Sequence, residues 1–378
     1  MKILIAGDFC DYGRVSDKIE KGEYDKLFSS VKPIIENADL SIVNFEFPIV
    51  MRKAKPIEKT GANLKGSPKS VNAIKYAGFK AATMANNHIL DWGPDCLLDT
   101  INELKSNGIE PIGWKNPNTS YSEINYFSTC KGNIAIINCC EREFSIAKDN
   151  IPGAIPLNPI NQWYKIKEAK EKADTVIVIV HCGIEHYQFP TPRMKETYRF
   201  FIDAGADVVV NHHQHCFSGY EEYHGKPIFY GLGNFLFDRK GLYDTIWNNG
   251  YMVCFNIEDN KVTFELYPYK QCGKEPTVDL IEDRKEFYKE LNELNEKISD
   301  DKLLERYMHE YVKKTEREFK TAFCPYSNRY LNALYIRGFL PDFRSKKSWL
   351  IIQNLIRCES HRERLLKYID DKINTYIK

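Results

Sequence analysis

The sequence predicts an α/β layered fold with helices outside its strands and a helical C-terminal appendage. Short β-branched or apolar runs alternate with amphipathic stretches through the first 232 residues, the pattern of buried strands with crossover helices. Two strand-like segments joined by turn formers follow, and beyond Pro276 the chain becomes charged and helix-like. The expected strands are Ile3 to Ala6, Leu40 to Asn44, Ala81 to Ala85, Ile134 to Asn138, Thr175 to Val180, Asp207 to Val210 and Pro227 to Leu232. Helices are expected over Tyr24 to Asn37, Ser67 to Ala77, Pro94 to Asn107, Gln162 to Ala173 and Thr191 to Ala204.

Tyr251 to Ile257 and Val262 to Tyr267, separated by Glu258-Asp259-Asn260, predict a hairpin. Residues 1–274 are expected to form one domain and residues 275–378 a helical appendage, with Tyr, Phe and Leu spaced through Phe287 to Phe319, Leu331 to Phe339 and Trp349 to Tyr376. The appendage is polarised: 275–310 carries 12 acids and 6 bases, whereas 311–378 carries 15 bases and 7 acids. That charge suits either solvated helix faces that complement one another or a docking surface for a polyanion.

At 378 residues and 43% hydrophobic content the chain can bury a large core. A formal net charge of +1 supplies no whole-molecule field to draw it to nucleic acid or membrane, and no nucleic-acid partner is predicted. Eleven cysteines without regular spacing, Cys139 and Cys140 being adjacent, suit reduced thiols better than a disulfide framework. The apolar run at Met1 to Ala6 is too short for a secretory signal core or a membrane span, so a cytoplasmic location is expected.

Five of the nine histidines, His88, His181, His212, His213 and His215, follow predicted strands, as do Asp8, Glu46, Asn87 and Asn234. Ligands of open α/β sheets bind beyond the carboxyl ends of the strands, so these loops would converge on one site. Gly7-Asp8 closes the first strand, its carboxylate either entering the crevice or forming a turn. Glu46 lies between Phe45 and Phe47, whose bulk would desolvate it, and a desolvated carboxylate needs a cation or a proton. Asn87-His88 sets an amide oxygen beside an imidazole. Glu185, in His181-Cys182-Gly183-Ile184-Glu185, would orient a ligand histidine or cap a helix. Three imidazoles in Asn211-His212-His213-Gln214-His215 suit a divalent cation when neutral. An extended segment would turn His213 and His215 to one side and His212 to the other, which favours the first two as ligands.

Taken in order, Gly7-Asp8, Asn44-Phe45-Glu46, Asn86-Asn87-His88 with Asp91 and Gly93, His181-Cys182-Gly183 with Glu185, His213-Gln214-His215 and Leu232-Gly233-Asn234-Phe235 resemble the CapA-like poly-γ-glutamate capsule-synthesis proteins. The resemblance spans roughly residues 1–240. It implies a four-layer α/β/β/α metallophosphoesterase-like sandwich, with the helical appendage outside it. It also implies two divalent metal ions: one held by Asp8, Glu46 and His215, the other by Glu46, Asn87, His181 and His213, with Glu46 bridging. His88 would then be the catalytic proton donor, and Asn44, Glu185 and Asn234 substrate or outer residues. Two departures stand out. Asp8-Phe9-Cys10 has a thiol where the broader phosphoesterase pattern has histidine, which weakens the first metal site, and Gln214 replaces the usual proline between the last two histidines.

The expected activity is metal-dependent hydrolysis of a phosphoester or a related ester or amide, with manganese, iron or zinc compatible with the mixed oxygen and nitrogen ligands. The expected partners are an anionic polymer, which the basic tail would hold, or a phosphorylated small molecule, together with other capsule-synthesis proteins. The alternative is a non-catalytic, metal-binding accessory subunit of a polymer-synthesis complex.

Overall fold

The computed structural model describes residues 1–119, 122–129, 131–258, 261–315, 328–341 and 343–376. Its strands are β1 (Lys2–Phe9), β2 (Leu40–Phe45), β3 (Ala81–Thr83), β4 (Glu110–Ile112), β5 (Trp114–Lys115), β6 (Asn125–Thr129), β7 (Gly132–Cys140) and β8 (Gly153–Ala154). They continue as β9 (Thr175–His181), β10 (Val208–His212), β11 (Tyr220–Tyr223), β12 (Lys226–Phe229), β13 (Asn234–Leu236), β14 (Asn249–Glu258), β15 (Lys261–Gln271) and β16 (Val278–Leu280). The helices before residue 205 are α1 (Arg14–Glu20), α2 (Tyr24–Phe28), α3 (Lys32–Glu36), α4 (Pro68–Ala77), α5 (Pro94–Ser106), α6 (Pro159–Lys170) and α7 (Pro192–Ala204). Those near the C-terminal end are α8 (Lys285–Ser299), α9 (Asp301–Lys314), α10 (Arg329–Ile336), α11 (Lys346–Arg357) and α12 (Glu359–Tyr376).

Two sheets form the centre. The eight-stranded sheet runs β16-β15-β14-β1-β2-β3-β4, with β13 also paired to β1; the six-stranded sheet runs β11-β12-β10-β9-β7-β6. Their middle strands are parallel; the edges are antiparallel except β4, which pairs with β3 in parallel. Because these middle strands are covered on both faces, β2 and β9 are buried at every position, and their sequences are largely apolar rather than alternating.

The pleat divides each strand between two cores. Ile3, Ile5, Ile42, Ile136, Ile177, Ile179, Val208 and Val210 meet in the apolar layer between the sheets. Leu4, Val43 and Ala82 instead face a cluster with residues of α1 to α5, while Val176, Val178 and Val209 face one with residues of α6 and α7. Each fully buried aliphatic or aromatic side chain contributes about 1.5–3 kcal/mol. The result is the four-layer α/β/β/α sandwich. Helix α8 adds Phe287, Leu291 and Leu294 to the layer between the sheets. Met308 of α9, Ile352 and Leu355 of α11 and Leu365 of α12 cluster with Ile184 and Tyr187, beyond the end of β9.

Several local expectations are corrected. The single helix over Tyr24 to Asn37 is two helices, α2 and α3, since Pro33 lacks an N–H and its ring would clash with the carbonyl of Ser29. The helix over Trp349 to Tyr376 breaks at Cys358, whose backbone is extended. Gly7-Asp8 does not end its strand: β1 continues to Phe9, with a register shift against β2 between Ile5 and Asp8. The hairpin pairs Asn249 with Lys270 through Glu258 with Lys261; of its turn, Asp259 and Asn260 lie outside the described residues, as does Phe319. The nine described cysteines are free and buried, while Cys130 and Cys324 lie outside the described residues. Among the described residues no helix is long and apolar enough to cross a membrane.

Candidate metal centre

The carboxyl ends of β1, β2, β3, β9 and β10 meet at one rim. Asp8 leaves β1 with its Oδ1 accepting from Asn44 Nδ2 at 2.7 Å and its Oδ2 accepting from the His213 backbone N–H at 3.3 Å. Glu46 follows β2, pinned by its own N–H to the Phe9 carbonyl at 3.1 Å and walled by Phe45 and Phe47, whose ring centroids are 4.2 Å apart. The side chain is fully buried, and neither carboxylate oxygen has a hydrogen-bond partner.

Beyond β3, Asn86 ties the loop down by donating to the Phe45 carbonyl at 2.9 Å. Asn87 Oδ1 then lies 3.1 Å from His181 Nε2. His88 Nδ1 lies 2.7 Å from Asp91 Oδ2 and 3.0 Å from Lys59 Nζ, and Lys59 also forms a buried ion pair with Asp91.

His213 and His215 reach the site from left-handed backbone, φ 94° and 55°, not from the extended segment expected of the sequence. Such conformations cost about 1–3 kcal/mol at a non-glycine residue and concentrate at functional sites. His213 Nδ1 approaches His181 Nε2 at 3.0 Å. His215 Nδ1 is 2.8 Å from Asn234 Oδ1 and 3.5 Å from Asp8 Oδ2, while its Nε2 is 3.6 Å from Glu46 Oε1. His212 completes β10 and joins neither group.

Two ligand sets result, Asp8–Glu46–His215 and Glu46–His181–His213, each with donor atoms within 4.8 Å of one another, and Glu46 belongs to both. Asn87 adjoins the second through His181. Burial and then the charge of Asp8 push the Glu46 carboxyl well above the usual range. Burial would lower His215, but Glu46, Asp8 and Glu185 outweigh it and hold the imidazole up at about 10. Burial would raise Glu185; His215, His213 and His88 outweigh it and hold that carboxyl at about 2. Burial, then His213, keeps His181 well below its ordinary value and therefore neutral. Carboxylate oxygens and imidazole nitrogens converging around an unpartnered buried carboxylate form a donor set suited to a cation.

The centre opens into a cleft of about 470 Å³ lined in part by Asn87, His88, Glu185 and His215. The same cleft is lined by residues that carried no expectation from sequence: Lys59, Arg239 and Trp247, and from the C-terminal helices Asn354, His361 and Arg364. Asn44 and Asn234 act from behind. Asn44 Nδ2 bridges Asp8 Oδ1 and His181 Nδ1 (3.3 Å), and Asn234 fixes His215 while its own amide donates to the carbonyls of His215 and Trp247, both at 3.1 Å.

With that geometry established, comparison with known proteins gives a family. Residues 2–239 match the family described as bacterial capsule synthesis protein PGA_cap. The chain belongs to this family. Among PGA_cap-related proteins, it is similar to the capsule biosynthesis protein CapA of Bacillus anthracis, 29% identical over 327 residues that cover 82% of this chain and 79% of that one. It is also similar to the PGA biosynthesis protein CapA of Bacillus subtilis (strain 168), 32% identical over 234 residues, 60% of this chain and 61% of that one. Among solved structures, a novel phosphatase from Mycoplasma pneumoniae aligns over 72% of this chain and 95% of its own, with 17% identity and a TM-score of 0.45, a likeness too loose to carry function.

Proposed function

We propose that this PGA_cap-family protein is a metal-dependent hydrolase that cleaves a phosphoester, or a related ester or amide, in an anionic substrate. The observation that carries the reading is Glu46, a fully buried carboxylate without a hydrogen-bond partner, shared by two sets of imidazole and carboxylate donors. Asp8, Glu46 and His215 would hold one divalent cation and Glu46, Asn87, His181 and His213 a second, with manganese, iron or zinc suited to these donors. Bound cations would polarise the scissile group and make water more acidic.

The chain's own residues supply proton transfer and substrate binding. The contact between His88 Nδ1 and Asp91 Oδ2 orients the ring; with the Nδ1 proton donated there, Nε2 is the bare nitrogen that would take up a proton from water in the cleft and release it. Burial and then Lys59 draw the His88 pKa down, so the resting ring is neutral and takes up a proton before passing it to the leaving group. Arg239 places positive charge on the cleft wall, suited to an anionic substrate, while Lys59 is paired with Asp91. Residues 1–274 would form the catalytic domain and 275–378 a helical wall, in a protein of the cytoplasm.

Metal-free protein should be reloaded with each cation and assayed on phosphomonoesters, phosphodiesters and γ-glutamyl peptides. Metal-dependent turnover that His88→Ala removes supports the hydrolase; no turnover of any substrate by fully loaded protein rejects it. The second reading, a metal-binding accessory subunit in polymer synthesis, is favoured by the relatives' names, which speak of biosynthesis. It requires polymer binding that His88→Ala leaves intact, without turnover.

A further inference from the structure

A second group of metal-type donors lies outside the centre, where the C-terminal helices meet the loop after β7. Glu143 offers a carboxylate oxygen, Cys358 its sulfur and His361 a ring nitrogen, all within 4.8 Å of one another. Cys358 and Glu143 are buried, and the His361 side chain is 20% exposed. The residues come from the β7 loop, the break between α11 and α12, and the first turn of α12, so only tertiary folding brings them together.

The hydrogen bonds indicate what this pocket wants. Asn354 Nδ2 lies 3.2 Å from Glu143 Oε1 and 3.0 Å from His361 Nδ1. One amide group therefore donates to a carboxylate and to an imidazole lone pair at a single point, while its own Oδ1 is buried without a hydrogen-bond partner. A cation satisfies two convergent lone pairs better than an amide does. Amide orientation is assigned from such networks, and turning Asn354 over would bring Oδ1 to the same point as a fourth donor.

We propose that Glu143, Cys358 and His361 bind a zinc ion, with Asn354 or water in the fourth position. Donors around tetrahedral zinc at 2.0–2.3 Å are about 3.3–3.8 Å apart, and Glu143 Oε1 to His361 Nδ1 is 3.6 Å. A carboxylate, a thiolate and a neutral imidazole balance the charge of Zn²⁺, so the buried complex carries no net charge. Binding breaks the Cys358 S–H bond and forms Zn–S; the proton leaves along the hydrogen bond already donated to Glu141 Oε2, at 3.1 Å, and passes to solvent.

The ion would staple the α11–α12 break to the β7 loop. The same loop contains Ser145, whose hydroxyl donates to the Asn87 carbonyl at 2.8 Å and accepts from the Leu90 N–H at 3.1 Å. The staple thus bears on the loop that carries Asn87 and His88. Glu143, Asn354 and His361 also line the cleft, but the proposal does not depend on the hydrolase reading, since no donor is shared with the ligand sets of the centre.

Cobalt(II) reads this site selectively, because no thiol belongs to the ligand sets of the main centre. Titration of reduced, metal-free protein with Co²⁺ should produce a near-ultraviolet thiolate-to-cobalt charge-transfer band that Zn²⁺ displaces. Cys358→Ser should abolish the band, and Glu46→Gln should leave it unchanged. His361→Gln, at a partly exposed position that tolerates change, should weaken cobalt binding by at least the roughly 10–100-fold that losing an outer-shell partner costs, and it serves if Cys358→Ser does not fold. No band in wild-type protein with bound cobalt, or a band that survives Cys358→Ser or keeps its affinity in His361→Gln, overturns the assignment.

Discussion

Replacing Gly7 with alanine should damage the candidate metal centre without altering any of its proposed ligands. A Cβ on Gly7 would lie 1.8 Å from the Gly233 carbonyl oxygen and 3.2 Å from the Phe235 backbone nitrogen. Real Cβ atoms essentially never approach closer than 3.0 Å, so β1 and the 233–235 segment must separate by more than an ångström. Both partners are backbone, and no flexible side chain can give way. That separation strains the Asp8 N–H bond to Gly233 O, 3.2 Å, and shifts Asn234, which positions His215. Overpacking costs about 1–3 kcal/mol and the lost hydrogen bond about 0.5–1.5 kcal/mol. Together they predict about 2–4 kcal/mol and, for a chain of 378 residues, a fall in melting temperature of roughly 2–5 °C, with reduced metal retention. The control is Gly225→Ala, at φ 72° with nothing within 4 Å of its Cβ, where left-handed backbone alone costs about 1–2 kcal/mol. Scanning calorimetry and elemental analysis decide between them: a Gly7→Ala protein no less stable than the control and fully metal-loaded refutes the close-packing argument.

Glu46→Gln should lose metal from both ligand sets, whereas Asp8→Asn should keep the cation of the Asn87–His181–His213 side; metal content after dialysis against a weak chelator separates them, and equal occupancy rejects Glu46 as the bridge. His88→Ala should keep its metal and lose about 100- to 10,000-fold in turnover, which steady-state assays on the best substrate would measure. Asp91→Asn should reproduce part of that loss through a misoriented ring, and unchanged turnover would show that Asp91 does not position His88. Stripping the metals should destabilise the protein by about 2.7 kcal/mol for each site held at a free-metal concentration about 100 times its dissociation constant, seen as a lower denaturation midpoint.

Much of this fold was legible in sequence because its central strands are covered on both faces, which makes Thr175–Val180 and Val208–Val210 continuous apolar runs. Other strands left no such trace: β6 alternates between half-buried and exposed positions, and β13 is three residues long. The residues of the centre were legible because each lies at or just beyond the carboxyl end of a strand, yet the reasons were partly different. Gly7 is required by close approach to Gly233 inside a strand rather than by a turn. His213 and His215 reach the centre through left-handed backbone rather than by strand alternation. Lys59 sits in a stretch without periodicity and acquires meaning only where it meets Asp91 and His88. Glu143, Cys358 and His361 are far apart in the chain, and no local pattern links them.

The six side chains of the candidate centre are drawn equally from the two halves of the sandwich: Asp8, Glu46 and Asn87 from the strand ends of one sheet, His181, His213 and His215 from those of the other. Neither half can assemble the constellation alone. During synthesis the second ligand set stays incomplete until β9 and β10 have emerged and docked, long after the segment holding Asp8 and Glu46. Cation capture would therefore mark a late event in maturation, and a chain truncated before His181 would carry three orphaned polar groups at its rim with no counterpart to complete them.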